Sequence, residues 1–505
     1  MHILMKRFLL LMLCLWLAAC HDASDPPDNQ AAEAAVRVTT QEPGITPFIA
    51  TLSLGMRDFT NLAEIAYTID PKPGSFSKPV SVSYTREWLE RKHAWDEPGK
   101  RLAVTVFGLY ANYANTVTLA ASFRDGSVHR ERVVVATLPY AGAAAVYNTP
   151  EVKTARSASV DPGIDYLMIK NTISTPVVLD SDGNLRWVGG PEITNSASSV
   201  FDGDSFIVGS ALTPELFRVG LDGRLVRTPL VSTRYTSFHH DLAWGKTGLL
   251  AELDAIENGI RRIESELADV TPAGQVLKEW DLAAIFRKTM RDAGDNPDNF
   301  VRDGIDWFHM NSAIYVPSDD SLLVSSRENF VVKLDYATGA IKWIFGDTTK
   351  HWYVDYPSLR ALALTLTSGN PPIGQHSLSI ASNGDLLLFN NGLGSANQPP
   401  GTSPGVTRSV SFPSRYKIDE PRRTAAEVWS YSPTPPVLSD VCSSVYETSA
   451  GGHIITYSVA AGRTRTKLVA IDSHGQVAFD YEYPTTPCAV AFISQPIGFA
   501  GLSLK

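Results

Sequence analysis

Four short segments of this chain carry residue types that could do chemistry together: Phe238-His239-His240-Asp241, Trp307-Phe308-His309-Met310-Asn311-Ser312, Ser325-Ser326-Arg327 and Gly374-Gln375-His376-Ser377. An imidazole can donate, accept or attack, and with an unperturbed pKa of about 6.5 it is substantially neutral at pH 7. A guanidinium is a permanent cation with a planar fork of donors. Three imidazoles and one guanidinium brought together make a pocket for a small anion. His239 and His240 are neighbours, and on a regular strand neighbours point to opposite faces, so one of them reaches such a pocket; His240 is the favoured one. The same alternation argues against a metal chelated by the His-His-Asp run, and no Cys or His pair at metal-ligand spacing supports one. Any one of these histidines alone is more simply a hydrogen-bonded interior residue. Their repeated placement singles them out.

A repeat is what could bring such distant residues together. Beyond residue 150 six copies of one pattern follow each other: an apolar strand, a turn with Gly or Asp-Gly, and a strand often ending in Trp. They are Val178–Trp187, Phe217–Leu225, Val270–Trp280, Val332–Trp343, Tyr416–Trp429 and Val469–Val477. Each reads as a hairpin, and six four-stranded units closing on themselves give an all-β six-bladed propeller over residues 151–505. In that architecture the innermost strand of every unit lines a central channel, and each of the four segments stands at or just before an expected innermost strand. Residues 37–150 alternate short β-like stretches, such as Val80–Tyr84, Leu102–Phe107 and Thr116–Ala120, with Gly and Pro turns, and predict a small N-terminal β-sandwich. His93 and His129 there, and His474 in a turn, are expected to be solvated. Inserts at 254–266, 288–303 and 348–374 are expected as loops roofing the channel, and Asp281–Ala293 has the periodicity of a short helix.

The chain has 505 residues, 44% hydrophobic and 19% charged, with a net charge of −9. That exceeds a single core of about 250–300 residues and reads as an ordinary globular body. No basic run suggests nucleic acid. Lys6 and Arg7 precede the apolar run Phe8–Leu17, which is too short to span a bilayer, and Leu17-Ala18-Ala19-Cys20 resembles a lipoprotein box. Residues 1–19 are therefore read as a signal peptide, Cys20 as the lipidated residue, and 20–36, rich in Asp, Pro and Ala, as a tether. The expected location is periplasmic, anchored to a membrane through lipid alone; His21 in place of a retention Asp favours the outer membrane. With Cys14 removed and Cys20 acylated, only Cys442 and Cys488 remain, and export lets them form a disulfide, with two free buried thiols as the alternative. Whether the molecule pairs as a homodimer is left open.

The segments Asp306–Ser312, Asp319–Arg327, Val331–Leu334, Ile341–Ile344, Gln375-His376, Phe389–Gly392, Tyr416–Glu420 and Val428–Tyr431 resemble, in order, the signature segments of the bacterial arylsulfate sulfotransferases that need no nucleotide sulfate donor. The resemblance is strongest from about residue 235 to 435. It implies a six-bladed propeller preceded by a β-sandwich, and ping-pong transfer of a sulfuryl group from a phenolic sulfate donor to a phenol acceptor. It implies that His376 is the nucleophile that becomes sulfated, that His309 and one of His239 or His240 bind and polarise the substrate, and that Arg327 holds the sulfuryl oxygens. His239, Asn311 and Gln375 are taken as further substrate-binding residues. A neutral imidazole can approach an anionic sulfate ester without charge repulsion, and a phenolate is a tolerable leaving group because phenols ionise near about pH 10. The scheme requires no metal and no cofactor. The chain departs from the family at Glu328-Asn329, where His-Gln is usual, and lacks the short disulfide loop before the nucleophile.

Two alternatives stand beside this reading. Leu334–Trp343 resembles the tryptophan-bearing repeat of quinone-cofactor propeller dehydrogenases. A non-enzymatic scaffold lipoprotein is the other, since many propellers catalyse nothing. The Cys-x-Pro-x-Arg nucleophile motif of conventional sulfatases is absent.

Overall fold

The computed structural model describes residues 36–56, 59–96 and 101–505. The expected signal peptide, the expected lipidation site Cys20 and all but the end of the expected tether lie outside the described residues. The chain is mostly β, as expected, and its described strands form eight sheets.

Two sheets belong to the N-terminal part. One joins Val36–Pro43, Ile49–Met56, Arg101–Phe107 and Trp95–Asp96; the other joins Val80–Thr85, Leu62–Ile69, Ala114–Phe123 and Val128–Ala136. Their strands alternate apolar and polar residues, and burial alternates with them, for example along Val80–Thr85. That is the signature of a sheet with one covered and one wetter face. The last strand of the chain, Gly501–Leu504, returns to this region and pairs in parallel with Val80–Thr85. The N-terminal region is thus completed by the C-terminus, and a single cut near residue 150 does not divide the chain. Phe107 and Phe499, with ring centroids 5.7 Å apart, pack where the two parts meet.

The other six sheets follow in chain order, and in them the outer two strands of each four-stranded meander are one of the six hairpins read from the sequence. Five of the six turns place a glycine at positive φ: Gly183, Gly223, Gly274, Gly339 and Gly475. In the remaining turn Arg423 adopts φ 52°. Many of these strands are buried along their whole length, as in Ser321–Ser326 and Tyr166–Lys170, because sheets cover both faces.

The tryptophans of the repeat have a specific use. Trp187 Nε1 donates to the Leu221 carbonyl in the turn of the next sheet at 3.0 Å, Trp280 to Tyr336 O at 3.2 Å, and Trp343 to Glu420 Oε1 at 3.1 Å. The indole of Leu334–Trp343 is therefore accounted for by packing between sheets. Tyr481 takes the same part in the last sheet, donating to Ser181 O in the turn of the first at 3.0 Å. The succession closes on itself by pairing as well. The strand Ile493–Pro496 forms the inner edge of the first sheet against Tyr166–Lys170, and Glu151–Thr154 forms the outer edge of the last against Val477–Pro484. One cavity of about 340 Å³ is lined from all six sheets, by Gln495, Val200, Leu242, Ile314, Ser379 and Tyr446 among others.

The inserts differ from the loops expected. Residues 254–266 lie mostly in a long hairpin, Leu249–Glu257 with Ile260–Val270. Residues 348–374 include two short helices and the strand Thr365–Ser368, which adds in parallel to the fifth sheet. The expected helix is present as Leu282–Asp292, capped by the Asp281 carboxylate on Ala284 N and burying Leu282, Phe286 and Met290 at helical spacing.

Cys442 and Cys488 form a disulfide with Cα atoms 6.1 Å apart. It links the segments leading into Ser444–Glu447 and Ile493–Pro496, the inner strands of the last and first sheets, so it staples the point of closure. The bridge spans 46 residues. Replacing both cysteines by alanine is expected to cost about 2–4 kcal/mol, read as a lowered Tm under oxidising conditions; an unchanged Tm would show that the closure holds without it.

Candidate active site

The inner strands of the third, fourth and fifth sheets are Tyr235–Trp244, Met310–Val316 and His376–Ile380, and each is irregular where it meets the site. Register breaks fall between Phe238 and Leu242, between Met310 and Ser312, and between His376 and Ser379. His240, His309 and Ser377 have φ of 44°, 52° and 54°, a conformation costly for residues with side chains. Bulges of this kind re-aim side chains at strand ends. They turn three imidazoles toward one place: the ring of His240 lies 4.7 Å from that of His309 and 6.4 Å from that of His376, centroid to centroid. Phe492 packs beside both His240 and His376, at 5.6 and 6.4 Å.

The irregularity at His240 overturns the alternation argument. His239 and His240 do not diverge: their Nδ1 atoms lie 3.2 Å apart, close enough to share one hydrogen. Both rings therefore sit at the site. Closeness of this kind would also serve a metal, since His239, His240 and Glu252, and again His240, Glu264 and His309, bring ligand atoms within 4.8 Å of one another. Burial, with Asp241 nearby, raises the Glu252 carboxyl well above its usual range, and its Oε2 lies 3.7 Å from His239 Nδ1.

His376 is 2% exposed, and its Nδ1 faces two oxygens, Asn391 Oδ1 at 2.7 Å and Gly374 O at 3.2 Å. The Asn391 amide is oriented by its Nδ2, which donates to Ser439 O. An oxygen on the imidazole requires a hydrogen on Nδ1, which leaves Nε2 with its lone pair. Burial, followed by the charges of His309 and Arg327, lowers the pKa of His376 to about 3, so the ring is neutral throughout the physiological range. His240 is likewise held well below its ordinary value by burial and the neighbouring His309. His309 is the opposite case: burial opposes its charge, but the Glu264 carboxylate and the bond to Asp306 outweigh burial and raise it to about 9.

Arg327 does not stand on an innermost strand, as expected, but just after the second strand of its sheet, Ser321–Ser326; its backbone N donates to His309 O at 3.0 Å. Glu328 is buried, pairs with the Arg327 guanidinium and accepts from Ala396 N and Asn397 N, each at 2.8 Å. It thus orients the arginine and pins a loop. Among the described residues the Nε of Arg327 is buried without a partner, a free donor of the kind an anion would engage. Asn311 and Gln375 are fully buried structural ties: Asn311 Nδ2 donates to Gln375 O at 2.8 Å and Gln375 Nε2 to Ser326 O at 2.8 Å. Their amide nitrogens hold the His376 segment against the fourth sheet.

Sequence reasoning missed Asn391, Glu252, Glu264 and Lys350. Asn391 was within a quoted segment, Phe389–Gly392, but nothing in the spacing joins it to His376. Lys350 is buried next to Arg327's neighbour, donating to Glu328 O at 2.9 Å, and burial lowers its pKa to about 8.

With this geometry in view, the comparisons are specific. The family model described as Arylsulfotransferase (ASST) matches residues 150–490. The chain belongs to the arylsulfotransferase family. Among curated proteins it is similar to the arylsulfate sulfotransferase AssT of Escherichia coli, 28% identical over 217 residues, and to that of Lelliottia amnigena, 26% identical over 217 residues. Each match covers 34% of this chain and 35% of the relative, so the chain spans about a third of the length of these relatives. Among solved structures, a gluconolactonase from Xanthomonas campestris superimposes with a TM-score of 0.32 at 11% identity, over 66% of this chain and 94% of that one. A likeness that loose carries no argument.

A histidine held neutral inside the folded site, with an unfolded pKa of about 6.5, binds fewer protons than the unfolded chain at acid pH. The stability this gives is present above about pH 6.5 and is lost as pH falls toward the folded value. In ¹⁵N spectra of histidine-labelled protein, His376 is expected as the Nδ1–H tautomer with no titration between about pH 5 and 8. A midpoint near the ordinary histidine value would contradict the geometry.

Proposed function

We propose that the six sheets are the blades of a propeller and that their axial pocket transfers a sulfuryl group from an aryl sulfate ester to a phenol through a covalent intermediate on His376. One observation carries this reading. The hydrogen bond from His376 Nδ1 to Asn391 Oδ1 at 2.7 Å leaves an unprotonated Nε2 on a buried ring that feels the charge of Arg327, whose Nε has no partner among the described residues. In an arylsulfotransferase such an atom is the nucleophile.

The Nε2 lone pair attacks sulfur in line with the bond to the phenolic oxygen; an N–S bond forms as the S–O bond breaks and the electron pair leaves on the phenolate. His309, charged at pH 7, gives that oxygen its proton. Arg327 and His240 donate to the sulfuryl oxygens, the preorganised contribution for which one lost donor costs about 10²–10³ in rate. In the second half a phenol returns a proton to His309, its oxygen attacks sulfur, and the N–S bond breaks to restore neutral His376. Two half-reactions sharing one covalent intermediate give ping-pong kinetics. Export and a lipid anchor at Cys20 complete the proposal: the enzyme would meet phenols outside the cytoplasm, held at a membrane surface.

Purified protein mixed with 4-nitrophenyl sulfate is expected to release nitrophenol when phenol is added, and His376→Ala to abolish that release. Arg327→Ala should slow it by about 10²–10³. Mass spectrometry of protein quenched without acceptor should find a sulfo group on the peptide containing His376. Equal release by wild type and His376→Ala would remove the nucleophile from its role. Release at the same rate in water without phenol would make the enzyme a hydrolase.

A further inference from the structure

We infer that Glu264 and Asp306 act as a carboxylate clamp that fixes His309 as the charged proton donor of the site, a positioning role that rests on the sulfuryl-transfer reading. The two carboxylates reach one nitrogen from different segments, Glu264 from the third sheet and Asp306 from the loop before Met310–Val316. Asp306 Oδ2 lies 2.5 Å from His309 Nδ1 and Glu264 Oε2 lies 2.8 Å from the same atom. Nδ1 carries a single hydrogen, so one oxygen accepts it and the other acts through its charge. Both favour the imidazolium, and Nε2–H becomes the acidic hydrogen that remains.

Glu264 is delivered at some conformational expense. It belongs to the strand Ile260–Val270 of the third sheet, whose pairing breaks so that residues 263–265 stand opposite Asp254 alone. Its φ is 46°, and its backbone N is held by Asp254 Oδ1 at 2.8 Å. A glutamate kept in that conformation by a dedicated acceptor is positioned rather than incidental. Among the described residues its Oε2 meets no donor of full hydrogen-bond geometry, and it lies within ion-pair distance of His309. Asp306 is held from a further direction: Asn397 Nδ2 donates to its carbonyl at 2.9 Å and approaches its carboxylate at 3.3 Å. The other charged or titratable groups facing His309 are Arg327, which opposes its charge, and the rings of His240 and His376, which are neutral.

The clamp has a chemical consequence for substrate range. A donor proton matters little when the leaving phenol is acidic and much when it is not. A site that keeps His309 charged should therefore accept sulfate esters of ordinary, unactivated phenols. The variants Glu264→Gln and Asp306→Asn keep shape and remove one charge each. In histidine-labelled protein free of substrate, His309 is expected to titrate near 9 in wild type and at least about one unit lower in either variant. With a series of aryl sulfates, the variants should lose about tenfold or less on 4-nitrophenyl sulfate and about 10²-fold or more on phenyl sulfate, and the alkaline limb of the rate should move to lower pH. An ordinary histidine midpoint in wild type, or a loss equal across all leaving groups, would overturn the clamp. The titration is read on the free protein, so it decides the clamp even if wild type transfers nothing, an outcome that would sink the sulfuryl-transfer reading instead.

Discussion

The site depends on how each sheet is stepped onto the next. Strand pairing holds a sheet together but says nothing about its angle to its neighbour. That angle is fixed at the outer edge by Trp187, Trp280 and Trp343 donating into the following turn, and at the inner edge by ties such as Ser198 Oγ to His239 O at 2.7 Å and Ser377 Oγ to Ser443 O at 3.0 Å. The tie from Tyr481 to Ser181 makes the last step the same as the others. Rings from three sheets can meet within 4.7–6.4 Å only if no step is free to drift.

Three imidazoles this close together cannot all be charged, because like charges at these distances in a poorly solvated site repel strongly. Burial lowers His240 and His376, and of the three rings it is at His309 that the Nδ1 partners outweigh burial. His376 has an amide oxygen, His240 has another imidazole, and His309 has carboxylates. The charged ring then reinforces the neutrality of the others, since His309 is among the causes that lower both His240 and His376. On the proposed reading, one site thereby offers a nucleophile and an acid at the same pH, from residues of a single type.

The repeat was legible because turn chemistry is local: an Asp-Gly or Thr-Gly between β-like stretches makes a hairpin whatever surrounds it. His240, His309 and His376 were legible as candidates for the same reason, by their place relative to those hairpins. The alternation argument for His239 and His240 failed because it presumes regular pairing, and a left-handed residue at 240 breaks it. Arg327 was assigned to the wrong strand because a turn and a strand end look alike without register. Asn391 and Glu264 could not be found at all: each meets its histidine across 15 and 45 residues of chain, through bulges that no local pattern encodes.

If His376 is the nucleophile, as proposed, an amide rather than a carboxylate beside it suits what the intermediate would have to do. Once Nε2 carries the sulfuryl group, a ring that retains its Nδ1 hydrogen is a cation, and a cationic imidazole is the better leaving group for the second half of the reaction. A carboxylate at the position of Asn391 would stabilise that cation and hold the free ring protonated beforehand, blocking attack. The neutral oxygen of Asn391 orients the hydrogen without claiming it. The same logic inverted explains the carboxylates at His309, where a retained proton is the working state. The difference between the two histidines therefore lies in whether the partner of Nδ1 bears a charge.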